Sequence, residues 1–142
     1  MTSIDVAALT LSHHVAIPLR FGDTDMQGHV NNAVFATLYE SGRVAFLYDG
    51  EAGMPPPGRN FVIAELNIRF LAEILYPATV DIRSGVSRIG NASAGLVQQL
   101  WVNDELKSTA TSTVVMIDRA KRTSTHIDGH ARAHLSQFLA VA

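Results

Sequence analysis

The segment Asp23-Thr24-Asp25-Met26-Gln27-Gly28-His29-Val30-Asn31-Asn32 puts two carboxylates and one imidazole directly ahead of a helical pattern. The first turn of a helix carries unpaired N–H groups and positive dipole character. Such donors polarise a carbonyl and hold a developing oxyanion. A carboxylate beside them can activate water or attack directly. The loop has no Ser and the chain no Cys, so an acid-derived group is the available base or nucleophile. Spacing alone leaves plainer readings open. An Asp ahead of a helix is commonly a cap or a turn former. Asp23, further from the helix start, fits that role better than Asp25. A single His is more often a hydrogen-bonded structural ring than an acid or base.

The elements that must hold this loop are legible on either side of it. Downstream, Val34, Phe35, Leu38, Tyr39, Ala45 and Phe46 recur with a period near 3.6. That predicts one amphipathic helix over 31–48, capped by Asn31 or Asn32 and about 27 Å long. Gly42 falls on or near its apolar stripe, where a missing side chain permits close packing. The breaker-rich GMPPPGR at 53–59 ends the helical region as an exposed loop. Its Met54-Pro55-Pro56-Pro57 stretch reads either as a cap over a substrate channel or as plain surface. Upstream, Val15, Ile17 and Leu19 alternate over 14–20 as a strand, and Pro18 confines it to a sheet edge or a bulge. Strand patterns follow at 62–70, 80–87, 93–102 and 107–118, with turns at Gly90-Asn91 and Asn103-Asp104. A last helix runs from Asp128 as cap to about Leu139. Residues 1–12 read as a loose lead-in. One long helix against antiparallel strands is an α+β layer arrangement. The 93–102 strand is apolar on both faces, which suggests that another subunit covers the outer face of the sheet.

Composition narrows the functional classes. A chain of 142 residues fits one domain, 1–142. A net charge of −2 gives no footprint for nucleic acid and no attraction to anionic lipid. No run is long enough to span a membrane, and the amino terminus lacks the basic start of a secretory signal. A soluble, cytoplasmic protein is the expectation. The absence of Cys excludes disulfides and thiolate metal sites. His126, His130 and His134 are four apart and could share a helix face, but no HExxH accompanies them, so no metal and no cofactor is expected.

The segment FGDTDMQGHVNNAVFATLYESGR resembles the motif of hotdog-fold acyl-CoA thioesterases. The branch is that of 4-hydroxybenzoyl-CoA thioesterase and its relatives, including the acyl-ACP thioesterases. Their pattern is Asp-x-Asp-x-x-Gly-His-Val-Asn-Asn followed by a long helix. The resemblance implies a hotdog fold, an antiparallel sheet wrapped around that helix. It implies a homodimer or homotetramer with active sites at the subunit interface. Asp25 would be the catalytic carboxylate, as general base or as nucleophile. The N–H near Asn32 would bind the carbonyl oxygen, and Gly28 would let the chain approach the acyl group. His29 and Gln27 would orient water or substrate, although relatives usually carry Asn where Gln27 stands. Met26, Val34 and Phe35 are apolar residues of the loop and helix that could line either an aliphatic or an aromatic acyl pocket. The aromatic-acyl relatives have a basic cluster before the fourth strand that meets the nucleotide phosphate of CoA. Here that turn, Arg88-Ile89-Gly90-Asn91-Ala92-Ser93, has one basic residue. Arg88, Gly90 and Ser93 are therefore candidate carrier contacts, and acyl-CoA and acyl-ACP both stay open as substrates. Glu40, on the helix, is an alternative base, and Glu65 a possible second carboxylate. The competing function is a non-catalytic acyl-CoA or acyl-carrier binding protein on the same fold. A dehydratase or hydratase ranks behind both, because its motif is missing.

Overall fold

In a computed structural model, which describes residues 5–142, the chain forms six strands and two α-helices. They run β1 (His13–Pro18), α1 (Asn32–Leu47), β2 (Arg59–Phe70), β3 (Thr79–Ile89), β4 (Ser93–Val102), β5 (Glu105–Asp118), β6 (Thr123–Ser124) and α2 (Gly129–Ser136). The sheet order is β1-β3-β4-β5-β2, antiparallel throughout, with the short β6 on β5. β1 is an edge strand and ends at Pro18, which therefore costs no ladder bond in the middle of the sheet. Asn103 and Asp104 take positive φ angles of 50° and 64°, the conformation that a two-residue hairpin demands. The curled sheet with α1 packed against it is the hotdog arrangement.

The helix sits where its stripe dictates. Phe35, Leu38 and Tyr39 pack with Val80, Ile82 and Leu100, and Phe46 and Leu47 with Val86, Leu96 and Met116. Gly42 lies so close to the sheet that a Cβ there would stand 2.5 Å from Ile82 Cγ2 and 2.9 Å from Gln98 Nε2. The buried Gln98 amide donates to Tyr39 O and to Ser84 Oγ, tying helix to sheet at the same point. Tyr39 Oη donates to Ser108 Oγ at 2.8 Å, and that hydroxyl donates to Arg69 O. Burial pushes the Tyr39 phenol above its ordinary pKa.

Three expectations change. Residues 5–12 are not loose: Val6 and Leu11 bury against Val97, and Gln99 Nε2 donates to Val6 O and Leu9 O; residues 1–4 lie outside the described residues. The outer face over β4 thus carries the chain's own amino-terminal segment at Val97. Helix α2 stops at Ser136, short of Leu139. A bulge in β3 between Val86 and Arg88 draws the chain away, with Val86 N–H donating to Phe138 O and Ala140 N–H to Val86 O. The proline-rich loop is not plain surface, because Met54 is buried with Phe46, Leu47 and Ile127 and closes the core there.

Candidate functional site

The loop between β1 and α1 is built by its own side chains. Asp23 is buried and paired with Arg20, which donates from its backbone N and from Nη2, both at 2.8 Å. Those hydrogen bonds hold the Asp23 carboxyl below its ordinary pKa. Asp23 is therefore the turn former that spacing suggested. Asp25 Oδ1 accepts the N–H groups of Gln27 and His29 at 2.8 and 3.1 Å. Asp25 Oδ2 takes no hydrogen bond from the described residues. One oxygen holds the turn and the other is free for chemistry. Gly28 completes the turn at φ 80°, where L side chains are strained, and nothing lies within 4 Å of where its Cβ would stand. The open space leaves room for a ligand to come close.

Asn31, not Asn32, caps the helix, accepting Ala33 N–H on its side chain and Val34 N–H on its carbonyl. Asn32 N–H, at the head of the helix, finds no acceptor among the described residues. Asp25, His29 and Asn32 line one cavity of about 300 Å³. Its apolar wall is Val30, Phe35, Phe70 and Leu71, with the Phe35 and Phe70 rings 5.0 Å apart. Glu73 lines the same cavity, and its Oε2 is 3.1 Å from His29 Nε2. Sequence reading missed Glu73, which comes from the connection after β2, more than forty residues along the chain from the loop. No local pattern marks it.

Other candidates are placed elsewhere. Gln27 is exposed, and its backbone rather than its side chain serves Asp25. Met26 is fully exposed and does not line the cavity, whereas Phe35 does and Val34 packs beside it. Glu40 and Glu65 line a separate groove of about 290 Å³ between α1 and β2, with Arg43 and Leu66. The Arg88–Ser93 turn stands at the far end of the sheet, where Arg88 Nη1 donates to Ser93 Oγ and Arg132 to Gly90 O. The length of β3, about 35 Å at about 3.3 Å per residue, separates it from the Asp25 end of the same chain. His126, His130 and His134 contact three different acceptors, Asn91 Oδ1, Ala52 O and Phe46 O. Among the described residues no group of His, Asp and Glu is arranged to hold a metal, and no helix is long and apolar enough to cross a membrane.

A carboxylate with a free oxygen, an unpaired helix N–H and an imidazole around an apolar-walled cavity can together bind a carbonyl and direct water to it. Comparison with known proteins points the same way. Residues 19–139 match the sequence profile of the thioesterase-like superfamily. The PA2801 protein of Pseudomonas aeruginosa, a candidate thioesterase, is similar at 27% identity and TM-score 0.78, over 87% of this chain and 98% of that one. The DHNA-CoA thioesterase of Staphylococcus aureus shares the fold at 18% identity and TM-score 0.77, over 87% and 88% of the two chains. The SAV2348 protein of Staphylococcus aureus, solved in complex with CoA, does so at 14% identity and TM-score 0.81, over 90% and 83%. No curated protein sequence matches significantly.

Proposed function

This chain belongs to the thioesterase-like superfamily, and on that premise we propose that it hydrolyses an acyl-CoA or acyl-ACP thioester to free acid and thiol. The observation that carries the proposal is the division of labour at Asp25, which lines the cavity: Oδ1 is held by two backbone N–H groups while Oδ2 takes no hydrogen bond from the described residues. The thioester carbonyl oxygen accepts the Asn32 N–H, which raises the electrophilicity of the carbonyl carbon. Asp25 takes a proton from water as the water oxygen bonds to that carbon. The C–S bond then breaks, and the proton passes to the departing thiolate. In the alternative route Asp25 Oδ2 attacks the carbon, the C–S bond breaks to give the thiolate and an anhydride, and water then hydrolyses the anhydride to the free acid and Asp25, its spare proton going to the thiolate. The apolar wall of Phe35, Phe70 and Leu71 takes the acyl group.

The working form is a homodimer or a homotetramer built from it. β2 ends the sheet with one edge free, and Val62 and Ile63 on it are 38% and 46% exposed. Two copies that pair their β2 edges antiparallel bring the Arg59 end of one against the Phe70 end of the other. The Arg88–Ser93 turn lies at the Arg59 end, since Val115 pairs with both Ser93 and Val62. In that assembly the partner supplies Arg88, Gly90 and Ser93 as carrier contacts. A cytoplasmic location suits a chain without cysteine.

Thiol release from short, medium, long and aromatic acyl-CoA esters, followed with a thiol-reactive dye, tests the proposal. Wild type should release thiol and Asp25→Asn should not. Binding of these esters without release would favour the non-catalytic carrier-binding reading, and retained turnover in Asp25→Asn would remove that residue from the mechanism.

A further inference from the structure

We propose that Glu73 is a positioning residue of this site, fixing the tautomer and orientation of the His29 ring. The inference deepens the hydrolase reading above and rests on it. Glu73 stands in the connection between β2 and β3, and that connection is laced down on both sides of it. Leu71 N–H and Ala72 N–H both donate to Lys107 O, at 3.0 and 3.1 Å. Next along, Ile74 is 1% exposed, and its carbonyl accepts Val30 N–H at 2.9 Å. Leu75 then bridges to His29, and Tyr76 N–H donates to Gly28 O. The backbone that carries Glu73 is thus joined to the backbone that carries Asp25 and His29. The backbone under Glu73 is therefore fixed, and its carboxylate meets the cavity beside His29.

The pair has a chemical consequence. The Glu73 carboxylate oxygen stands 3.1 Å from His29 Nε2, and an acceptor oxygen at that distance favours the tautomer that carries its proton on Nε2. The partner at one ring nitrogen sets the state of the other. With Nε2 protonated, Nδ1 of the neutral ring is an acceptor. His29 can then hold one hydrogen of the attacking water while Asp25 takes the other. Without Glu73 the ring can flip or change tautomer, and the acceptor is lost for part of the time.

The pair is not there for stability. The Glu73 side chain is 61% exposed and that of His29 32%, and such ion pairs contribute little to folding. Activity and stability should therefore separate. Glu73→Ala should fold with an unchanged melting temperature and lose about tenfold in kcat, less than the roughly 10²-fold or more of a general base itself because Glu73 acts through His29, with KM little altered. Glu73→Gln, which keeps an acceptor oxygen, should recover most of that loss. In a His29→Ala background the same Glu73→Ala change should cost nothing more.

The thiol-release assay on these four proteins and wild type decides the kinetic side. Full kcat in Glu73→Ala, or an equal loss in the His29→Ala background, would overturn the proposal. Imidazole ¹⁵N shifts of His29 at mildly alkaline pH decide it without turnover. They should show the Nε2-protonated tautomer in wild type and a mixture in Glu73→Ala; the same mixture in both would overturn it. If wild type releases no thiol from any ester, the hydrolase reading fails, and the tautomer measurement still tests Glu73.

Discussion

Replacing Asp25 by Asn keeps an acceptor for the Gln27 and His29 N–H groups and removes the charge from the free oxygen. The turn should survive, because its hydrogen bonds do. Thiol release should fall by about 10²-fold or more, the typical worth of a general base. An unchanged melting temperature beside that loss would show that the residue serves chemistry rather than folding. Asp23, two positions earlier, has the opposite profile. Its carboxylate is buried and fully engaged by Arg20, so it has no oxygen to offer a substrate. The sequence places both acids in one loop. Spacing favoured Asp23 as the turn former, but Asp25 turns out to hold a turn as well. Only the hydrogen bonds reveal that one of its oxygens is spare.

Among the elements, α1 answers most directly to its sequence. Its stripe, its Asn31 cap and its close-packed Gly42 all follow from the order of side chains. Gly42→Ala would gain helix propensity of about 1 kcal/mol. It would also drive a methyl to 2.5 Å from Ile82 Cγ2, and overpacking of this kind costs about 1–3 kcal/mol. Net destabilisation, read as a lower urea midpoint with the same m-value, is the expected outcome. A more stable variant would mean that α1 can lift from the sheet at no cost. Helix α2 was legible in its Asp128 cap and not in its end. Its last residues leave the helix because a bulge in β3 offers them backbone partners, a pairing of residues about fifty apart in the chain.

At the scale of the whole molecule, pH and assembly give the sharpest expectations. His13 packs between Phe46 and Phe138, with ring centroids 5.4 and 5.6 Å away, and its Nδ1 is buried without a partner among the described residues. Burial foremost, then the neighbouring His14 and His134, hold its pKa below the ordinary 6.5, against a smaller upward pull from Asp49. Below pH 6.5 the unfolded chain therefore takes up the proton before the folded one does. This part of the stability is complete above that pH and is lost on acidification until the folded ring protonates as well. Urea unfolding between pH 7.5 and 5.5 should show the decline, and His13→Leu should flatten it. The free β2 edge gives a second test. A charge on an edge strand discourages pairing, so Ile63→Lys should sediment as a monomer and lose kcat/KM for acyl-CoA. A wild-type protein that is monomeric and fully active would refute the paired-edge assembly.

The sequence by itself determined the local features: the amphipathic helix, the alternating strands, the turn residues and the Asp25 loop. Each depends on residues within a few positions of one another, so periodicity and turn chemistry suffice to read it. Tertiary structure decided what depends on long-range contacts. It placed Glu73 beside His29, put the Arg88 turn at the opposite end of the sheet, moved Glu40 and Glu65 to a groove of their own and folded the lead-in over β4. Those outcomes follow from strand order and register, which bring distant residues together, and no local pattern records them.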